Sequence, residues 1–417
     1  MLWAKRGWAS PGSQFLRAAE QLGATDAWDF VDGVYVRSGR ATPDPGLTVT
    51  RASSGYAETS DGRLVSFGSG VLRRTDRGVL VEGARTNLLT RSQEFGTNWA
   101  PTNATVSSDV TVAPDNTTTA DKLIATAASG IHRVFSTDGG NAVNGVSYTL
   151  SVFAKASEYG FVRLTDTTYM TAGPVFDLTT GAVSSTGGFT ATITALANGW
   201  YRCAATFTAS GTALLVSQIL AFPSSSTSDY TGDGTSGLFL WGAQLEAGAF
   251  ASSYIPTVAS TVTRAADEVT ASLSSVAYPC SLYAEFVRNG DTGAAEGVFQ
   301  VDASSRAQRA NINVSSSDTL TVTARGGTND GDAAVTGAVT VGAITKGAGR
   351  VAVNDVQAGR AGSLATADTV ASVPTSSPDT VRFGDFGAAA THGFLYLRRA
   401  AVISSALTDA QLQAITT

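Results

Sequence analysis

The strongest constraint on the fold is the alternation of apolar and polar residues in short runs, each cut off by turn residues. In the run 148–154, Tyr148, Leu150, Val152 and Ala154 alternate with Thr149, Ser151 and Phe153. This is the period of a half-buried strand, whose successive side chains point to opposite faces of a sheet. The runs 161–165, 200–208, 214–222 and 238–246 are likewise rich in β-branched or aromatic residues, and turns such as Asn198-Gly199 and Gly232-Asp233-Gly234 bound them. Strands that succeed one another without helices between them predict a sandwich or jelly roll. A second β module is predicted from about 263 to the C-terminus, with strands at 281–288, 297–302, 319–325 and 393–399. The expected class is therefore all-β: two β-sandwich domains after an irregular N-terminal segment carrying one short helix.

Composition agrees. Charged residues are 15% of the 417-residue chain, and 44 glycines accompany abundant Ser and Thr, which suits strands and turns more than helices. The formal net charge is -6 and no run of Lys or Arg is longer than a pair such as Arg73-Arg74 or Arg398-Arg399. The positive footprint that grips a phosphate backbone is missing, so nucleic acid is not an expected partner. Cys203 and Cys280 fall in separate modules and read as buried free thiols, because two cysteines neither staple a fold this size nor make a metal-ligand spacing. Residues 1–8 lack the apolar core of a secretory signal, and no stretch approaches the about 20 apolar residues of a membrane span. Membrane insertion is not expected, and the chain needs another route to a surface, such as leaving the cell on a particle.

Residues 1–77 differ in pattern from the rest of the chain. A helix is predicted from about 13 to 22, with Phe15, Ala18, Ala19 and Leu22 as its apolar stripe and Gly23 as its stop. Short strand-like runs lie at 34–37 and 47–50, separated by turns such as Asp32-Gly33 and Pro43-Asp44-Pro45-Gly46. The region is too irregular for a compact module and reads as an attachment segment. At the other end, Thr408 with Gln411 forms a capping signal, and Leu412 and Ile415 share one face of a closing helix. The Ser/Thr-rich stretch 256–264 reads as a linker between the modules.

Two segments carry a family likeness. The stretch 78–95 contains Glu82-Gly83-Ala84-Arg85-Thr86-Asn87-Leu88-Leu89, with Trp99 shortly after it. The stretch 240–248 reads Leu240-Trp241-Gly242-Ala243-Gln244-Leu245-Glu246-Ala247-Gly248, with Ser253-Tyr254-Ile255-Pro256-Thr257 after it. Together they resemble the two ends of the jelly-roll domain in phage head-spike and tail-fibre proteins, and frame it at 78–257. Phe394-Leu395-Tyr396-Leu397-Arg398-Arg399-Ala400 with the closing helix is similar to the end of concanavalin-like, laminin-G-like domains, here 263–417. The resemblance implies a virion structural protein, a spike or fibre subunit with a carbohydrate-binding-module-like jelly roll. It would be assembled in the bacterial host cytoplasm and displayed on the virion surface. Its expected partners are other virion proteins through the N-terminal segment and host surface polysaccharide. A homotrimer is expected, or a pentamer at a capsid vertex, since symmetric repetition multiplies weak sugar contacts.

The residues offer little for catalysis, and an enzyme is not expected. His132 and His392 lie in no nucleophile or metal motif, and the glycine-rich pieces 326–327 and 347–349 lack the ending of a phosphate loop. Carboxylate pairs are the raw material of glycoside hydrolysis, so a capsule or envelope depolymerase is the rival from another class, beside a purely architectural decoration. Tyr159 and Tyr169 lie in loop-like stretches and are candidate glycan platforms, because a flat ring covers the apolar face of a sugar, with a structural role as the favoured alternative. Trp200, Tyr201, Phe239 and Trp241 sit in strands and read as core. Asp229, Asp233 and Glu246, near the closing strand of the jelly roll, are candidate ligands for a structural calcium, with solvated turn carboxylates as the alternative. No other cofactor is expected.

Overall fold

The computed structural model describes residues 13–225, 229–273, 276–303, 306–387 and 391–417. The protein is all-β, and among the described residues its α-helices are Gln14–Gln21 and Asp409–Thr416. No helix there is long and apolar enough to cross a membrane. The chain forms two compact units, one from Met1–Ala52, Gly68–Gly83 and Ala265–Thr417, the other from Ser53–Phe67 and Ala84–Arg264.

The blocks 1–77, 78–257 and 263–417 do not coincide with these units. Residues 1–12 of the expected attachment segment lie outside the described residues, but the rest of it is woven into sheets. The strand Ala24–Asp29 pairs with Leu395–Ile403, and Leu47–Thr50 pairs with Glu268–Ser272. Runs of four to six residues look irregular in sequence because their hydrogen-bonding partners lie hundreds of positions away. The expected linker is also partly strand: Val262–Arg264 pairs with Arg85–Asn87 and so closes the second unit.

The first unit is a sandwich of a ten-stranded and a seven-stranded sheet. Its core joins Leu282, Phe286, Val351 and Val402 of the larger sheet to Phe299, Ile312, Val322 and Phe383 of the smaller. Trp28 is fully buried, and its ring meets Phe383 edge-on at 4.9 Å. Both helices lie against the other face of the larger sheet, where Leu16, Ala19 and Leu412 pack with Tyr283, Ala348 and Ala401. Ser13 caps the first helix by accepting a hydrogen bond from the Leu16 N–H, and Gly23 lies just past its end at φ +84°. Phe15, Ala19 and Leu22 of the expected stripe pack on the sheet together with Leu16, while Ala18 is exposed. The closing helix carries the expected capping box between Thr408 and Gln411.

The second unit is a sandwich of two six-stranded sheets. Tyr148, Leu150, Val152 and Ala154 all face its core, as their alternation predicts. Cys203 is buried there and Cys280 in the first unit, both as free thiols, and burial pushes each thiol's pKa up.

The two segments that carried the family likeness interlock in this unit. Fully buried Asn87 donates from Nδ2 to the carbonyls of Ala243 and Ile255 and accepts at Oδ1 from the Leu89 and Leu245 N–H groups. Gln244 Oε1 accepts from the Ile255 N–H, and the Ser92 and Tyr254 hydroxyls meet at 2.7 Å. Gly242 has φ +61°, and a Cβ there would stand 2.8 Å from the Phe153 ring. The register between Tyr148–Ala156 and the closing strand shifts beside it, a bulge that only glycine fits without strain. These motif residues are a structural latch that ties the start of the sandwich to its end.

Candidate functional site

One sheet of the second unit orders its strands as Ala100–Thr102, Arg133–Ser136, Ser217–Phe222, Phe161–Asp166, Val175–Asp177 and Ala182–Ser185. Val134, Ile219, Ala221, Val162, Leu164 and Phe176 point into the core. By strand alternation, their neighbours Arg133, Phe135, Gln218, Leu220, Phe222, Phe161, Arg163 and Thr165 form the opposite face. Arg133 and Arg163 both stand opposite Leu220, one on each side, so their Cα atoms are about 10 Å apart. Phe161 stands directly opposite Phe222.

Each arginine lies over an aromatic ring of this face. The Arg163 guanidinium carbon is 5.1 Å from the centre of Phe222, and that of Arg133 is 5.3 Å from Phe135. Arg133 donates to Gln218 Oε1 and, at 3.4 Å, to Thr102 Oγ1. Arg163 is part-buried, and its Nε–H is shielded from water with no acceptor. Burial pushes its pKa down with no nearby acid to offset it. Neither arginine takes part in an ion pair among the described residues. The acid on this face is Asp177 at its edge, whose Oδ1 accepts from the N–H groups of Thr179 and Thr180 and from the Thr179 hydroxyl.

Other buried arginines are treated differently. Arg73 Nη1 meets Glu82 at 2.8 Å, Arg288 Nη2 meets Glu296 at 2.9 Å and Arg382 Nε meets Asp302 at 2.7 Å. The polar outer face of the seven-stranded sheet in the first unit is likewise satisfied from within. Asn311, opposite Gln300 on one side and Thr323 on the other, donates to Asn313 and accepts from the Thr323 hydroxyl, while Gln300 and Arg382 both donate to Asp302. Arg163 shares its state with Arg309, whose Nε–H is also shielded without an acceptor and whose pKa burial also lowers. A cation in low dielectric is costly unless an anion or acceptor completes it.

No family model matches the sequence, and no curated protein matches it. Similar solved structures include the CBM40 module of the Ruminococcus gnavus IT-sialidase bound to α2,3-sialyllactose, at 12% identity and a TM-score of 0.29, over 34% of this chain and 84% of that one. The LG4-5 domains of the mouse laminin α1 chain match at 11% identity and a TM-score of 0.25, over 79% and 92%. A Trypanosoma rangeli sialidase in complex with sialic acid matches at 9% identity and 0.26, over 88% and 60%. At these scores the likeness is too slight to assign a function.

The residues singled out from sequence lie elsewhere. Tyr159 is only 8% exposed and meets Tyr230 edge-on at 5.6 Å; burial, then the charge of Asp233, raises its pKa. Tyr169 stacks on Phe207 at 5.8 Å, and its hydroxyl accepts from the Ala213 N–H at 2.7 Å. Both rings are packed against the core rather than presented as open platforms, because the segments that look like loops fold back onto the sandwich. Trp200 and Trp241 are buried as expected.

The three candidate calcium ligands are not brought together, and among the described residues no group of three or more His, Cys, Asp or Glu is placed to hold a metal. Glu246 is fully buried and accepts from the Ser252 N–H at 2.8 Å, the Ser252 hydroxyl at 2.7 Å and Gln244 Nε2 at 2.7 Å. Asp233 is exposed and caps a turn through the Thr235 and Ser236 N–H groups, and its pKa is lowered by the Ser236 hydroxyl and those amides. Asp229 is exposed. His132 is enclosed between the carbonyls of Asn103 and Tyr230. The arginine face was missed because nothing local marks it. Its one signal in sequence is Arg163 set between Phe161, Val162 and Leu164 in the strand Phe161–Asp166.

Proposed function

We propose that this protein is a non-catalytic glycan-binding subunit of a virion spike or fibre, and that it touches host surface polysaccharide through the arginine–phenylalanine face of its second unit. The observation that carries the reading is Arg163, a part-exposed cation with no ion pair among the described residues, beside the part-exposed ring of Phe161; the Phe222 ring beneath it is fully buried and supports it from below. A sugar has an apolar face that suits an aromatic surface and hydroxyls that suit guanidinium, amide and hydroxyl groups. Arg133 and Arg163 supply the guanidinium groups and part-exposed Thr102 a hydroxyl beside Arg133. The motifs 78–95 and 240–257 support the virion assignment, since they resemble the jelly-roll ends of phage spikes and fibres. Attachment to the particle through the N-terminal residues and a symmetric trimer, or a pentamer at a capsid vertex, belong to the same proposal.

Two facts favour binding over turnover. The strands that bear the arginines present no carboxylate pair on this face, and the buried carboxylates Glu82, Asp302 and Glu296 are held by arginines. The test is incubation of the purified protein with host envelope polysaccharide. Retention of the polymer without release of reducing ends is expected. Steady release above a heat-inactivated control would instead make the protein a depolymerase, and no retention at all would leave an architectural decoration.

A further inference from the structure

We infer that the strand Thr190–Ala195 of the second unit pairs edge to edge with the same strand of a second copy of this chain, antiparallel and about a twofold axis. This goes beyond the glycan-binding reading and does not depend on it, since a twofold contact joins chains in pairs whatever the symmetry of the mount. The strand ends one six-stranded sheet, where Trp200–Thr208 is its neighbour in unbroken register from Thr190 opposite Thr206 to Ala195 opposite Tyr201. Its other edge presents backbone N–H and C=O groups that no strand takes up among the described residues. Thr190, Thr192, Thr194 and Ala195 are exposed, and Ala191 and Ile193 are part-exposed. The strand Ala182–Ser185 ends the other six-stranded sheet on the same flank, and no proline or charged residue lies between Asp177 and Arg202 in the sequence. The other edges of the large sheets are guarded. Ala100–Thr102 contains Pro101, and Ala104–Thr111 loses register between Ser107 and Thr111, around Asp109 at φ +57°. Arg360 donates to the Thr336, Gly337 and Ala338 carbonyls at the edge strand Gly331–Ala338. Leu47–Thr50, Arg40–Thr42 and Ser363–Leu364 have 4, 3 and 2 residues. Prolines, bulges, capping charges and shortness all stop strands from adding to an edge, and Thr190–Ala195 has none of them.

A second copy fits this edge by symmetry. A twofold axis normal to the sheet sets only residues of like parity opposite each other, so Thr190, Thr192 and Thr194 meet threonines on the outer face. Ala191, Ile193 and Ala195, which stand beside Ala205, Cys203 and Tyr201, likewise meet one another on the core face. Threonine opposite threonine is a favourable cross-strand pair. The join would form about six backbone hydrogen bonds, two for every second pair of residues, and would cover the part-exposed side of Ile193. Each chain carries -6, and an uncharged flank is where two such chains meet at least electrostatic cost. The strand has no charge by which to choose a foreign partner, whereas its own copy matches it residue for residue.

Sedimentation of the full chain over a range of concentrations, with hydrogen exchange followed at the amides of 190–195, tests the contact. A species of two chains, or of a multiple of two, is expected, and those amides should gain protection as concentration rises. Thr192→Lys/Thr194→Lys sets like charges opposite each other whether the axis passes beside Thr192 or Ile193. It should weaken the association by about tenfold and abolish the concentration-dependent protection. Thr192→Val/Thr194→Val should keep both, with the thermal transition of each variant confirming an intact fold. A wild-type chain that stays monomeric would overturn the inference. So would exchange at 190–195 that does not depend on concentration, or an assembly of any size, a trimer or pentamer included, that the lysines leave unchanged. Protection of this edge only when another protein is added would assign it to a foreign strand and overturn it equally. Polysaccharide retention is read separately, through the arginine face on the other sheet, so none of these results decides the glycan-binding reading.

Discussion

Replacing Asn87 by alanine should destabilise the second unit more than any surface change, although Asn87 touches no candidate ligand site. Its amide makes two donated bonds, to Ala243 O at 3.1 Å and Ile255 O at 2.9 Å, and two accepted ones, from Leu89 N and Leu245 N at 3.1 Å each. That exhausts the capacity of a primary amide. Alanine leaves four backbone groups without this partner in a site that is fully buried. Each buried group left unpaired costs about 1–3 kcal/mol, and partial relaxation or an entering water reduces the total. We expect a loss of about 3–5 kcal/mol, which lowers Tm by about 10 °C in a unit of this size. Asn87→Asp keeps the two accepting roles, loses both donors and buries a charge, so it should fare no better than alanine. Thermal unfolding monitored by tryptophan fluorescence reports the unit through Trp99, Trp200 and Trp241. A loss below about 1 kcal/mol for Asn87→Ala would show that the two motif segments are held together by something other than this amide.

Three further outcomes are expected. Arg73→Met should cost the first unit about 3–5 kcal/mol in chemical denaturation. It removes the guanidinium that meets Glu82 at 2.8 Å and leaves Asp267 to Arg51 alone; these two carboxylates raise the pKa of Arg73 in spite of its burial. Gly242→Ala should cost about 1–3 kcal/mol by the same measurement, because φ is +61° and the new methyl meets Phe153. The Lys122 ammonium, hydrogen-bonded to Glu158, lowers that carboxyl from an ordinary 4.5 to about 2. A lowered acid pKa gives stability that is fully present above about 4.5 and lost as pH falls through about 2. The wild-type advantage over Lys122→Met should therefore be small at pH 6, since the Glu158 carboxylate is half exposed and screened by water, and should vanish near pH 2 in paired thermal melts.

Much of the fold was legible wherever the signal is local. Period-two alternation placed the strand through Tyr148 and Ala154, and the Thr408–Gln411 capping signal placed the last helix. The division into units was not legible, because Ala24–Asp29 finds its neighbour at Leu395–Ile403, and such pairing leaves no local trace in short strands. The interlocked motifs were visible as a likeness, but their structural role became clear only from the four bonds of Asn87. The candidate site was the least legible part. Arg163 differs from Arg73 or Arg382 only in which side chains the strand order sets beside it, here Leu220 and Val175 instead of an acid. Tyr159 and Tyr169 took the structural alternative: both rings pack back onto the sandwich, which their polar neighbours in sequence do not reveal.

The most direct test of glycan adhesion through this face compares wild-type protein with Arg133→Gln/Arg163→Gln for binding to immobilised host envelope polysaccharide, while the length of the polymer is monitored in parallel. The account predicts that the wild type binds, that the double variant loses at least about tenfold in affinity with an unchanged Tm, and that the polymer keeps its length. Binding that survives both substitutions, or a polymer that shortens in contact with the protein, would contradict it.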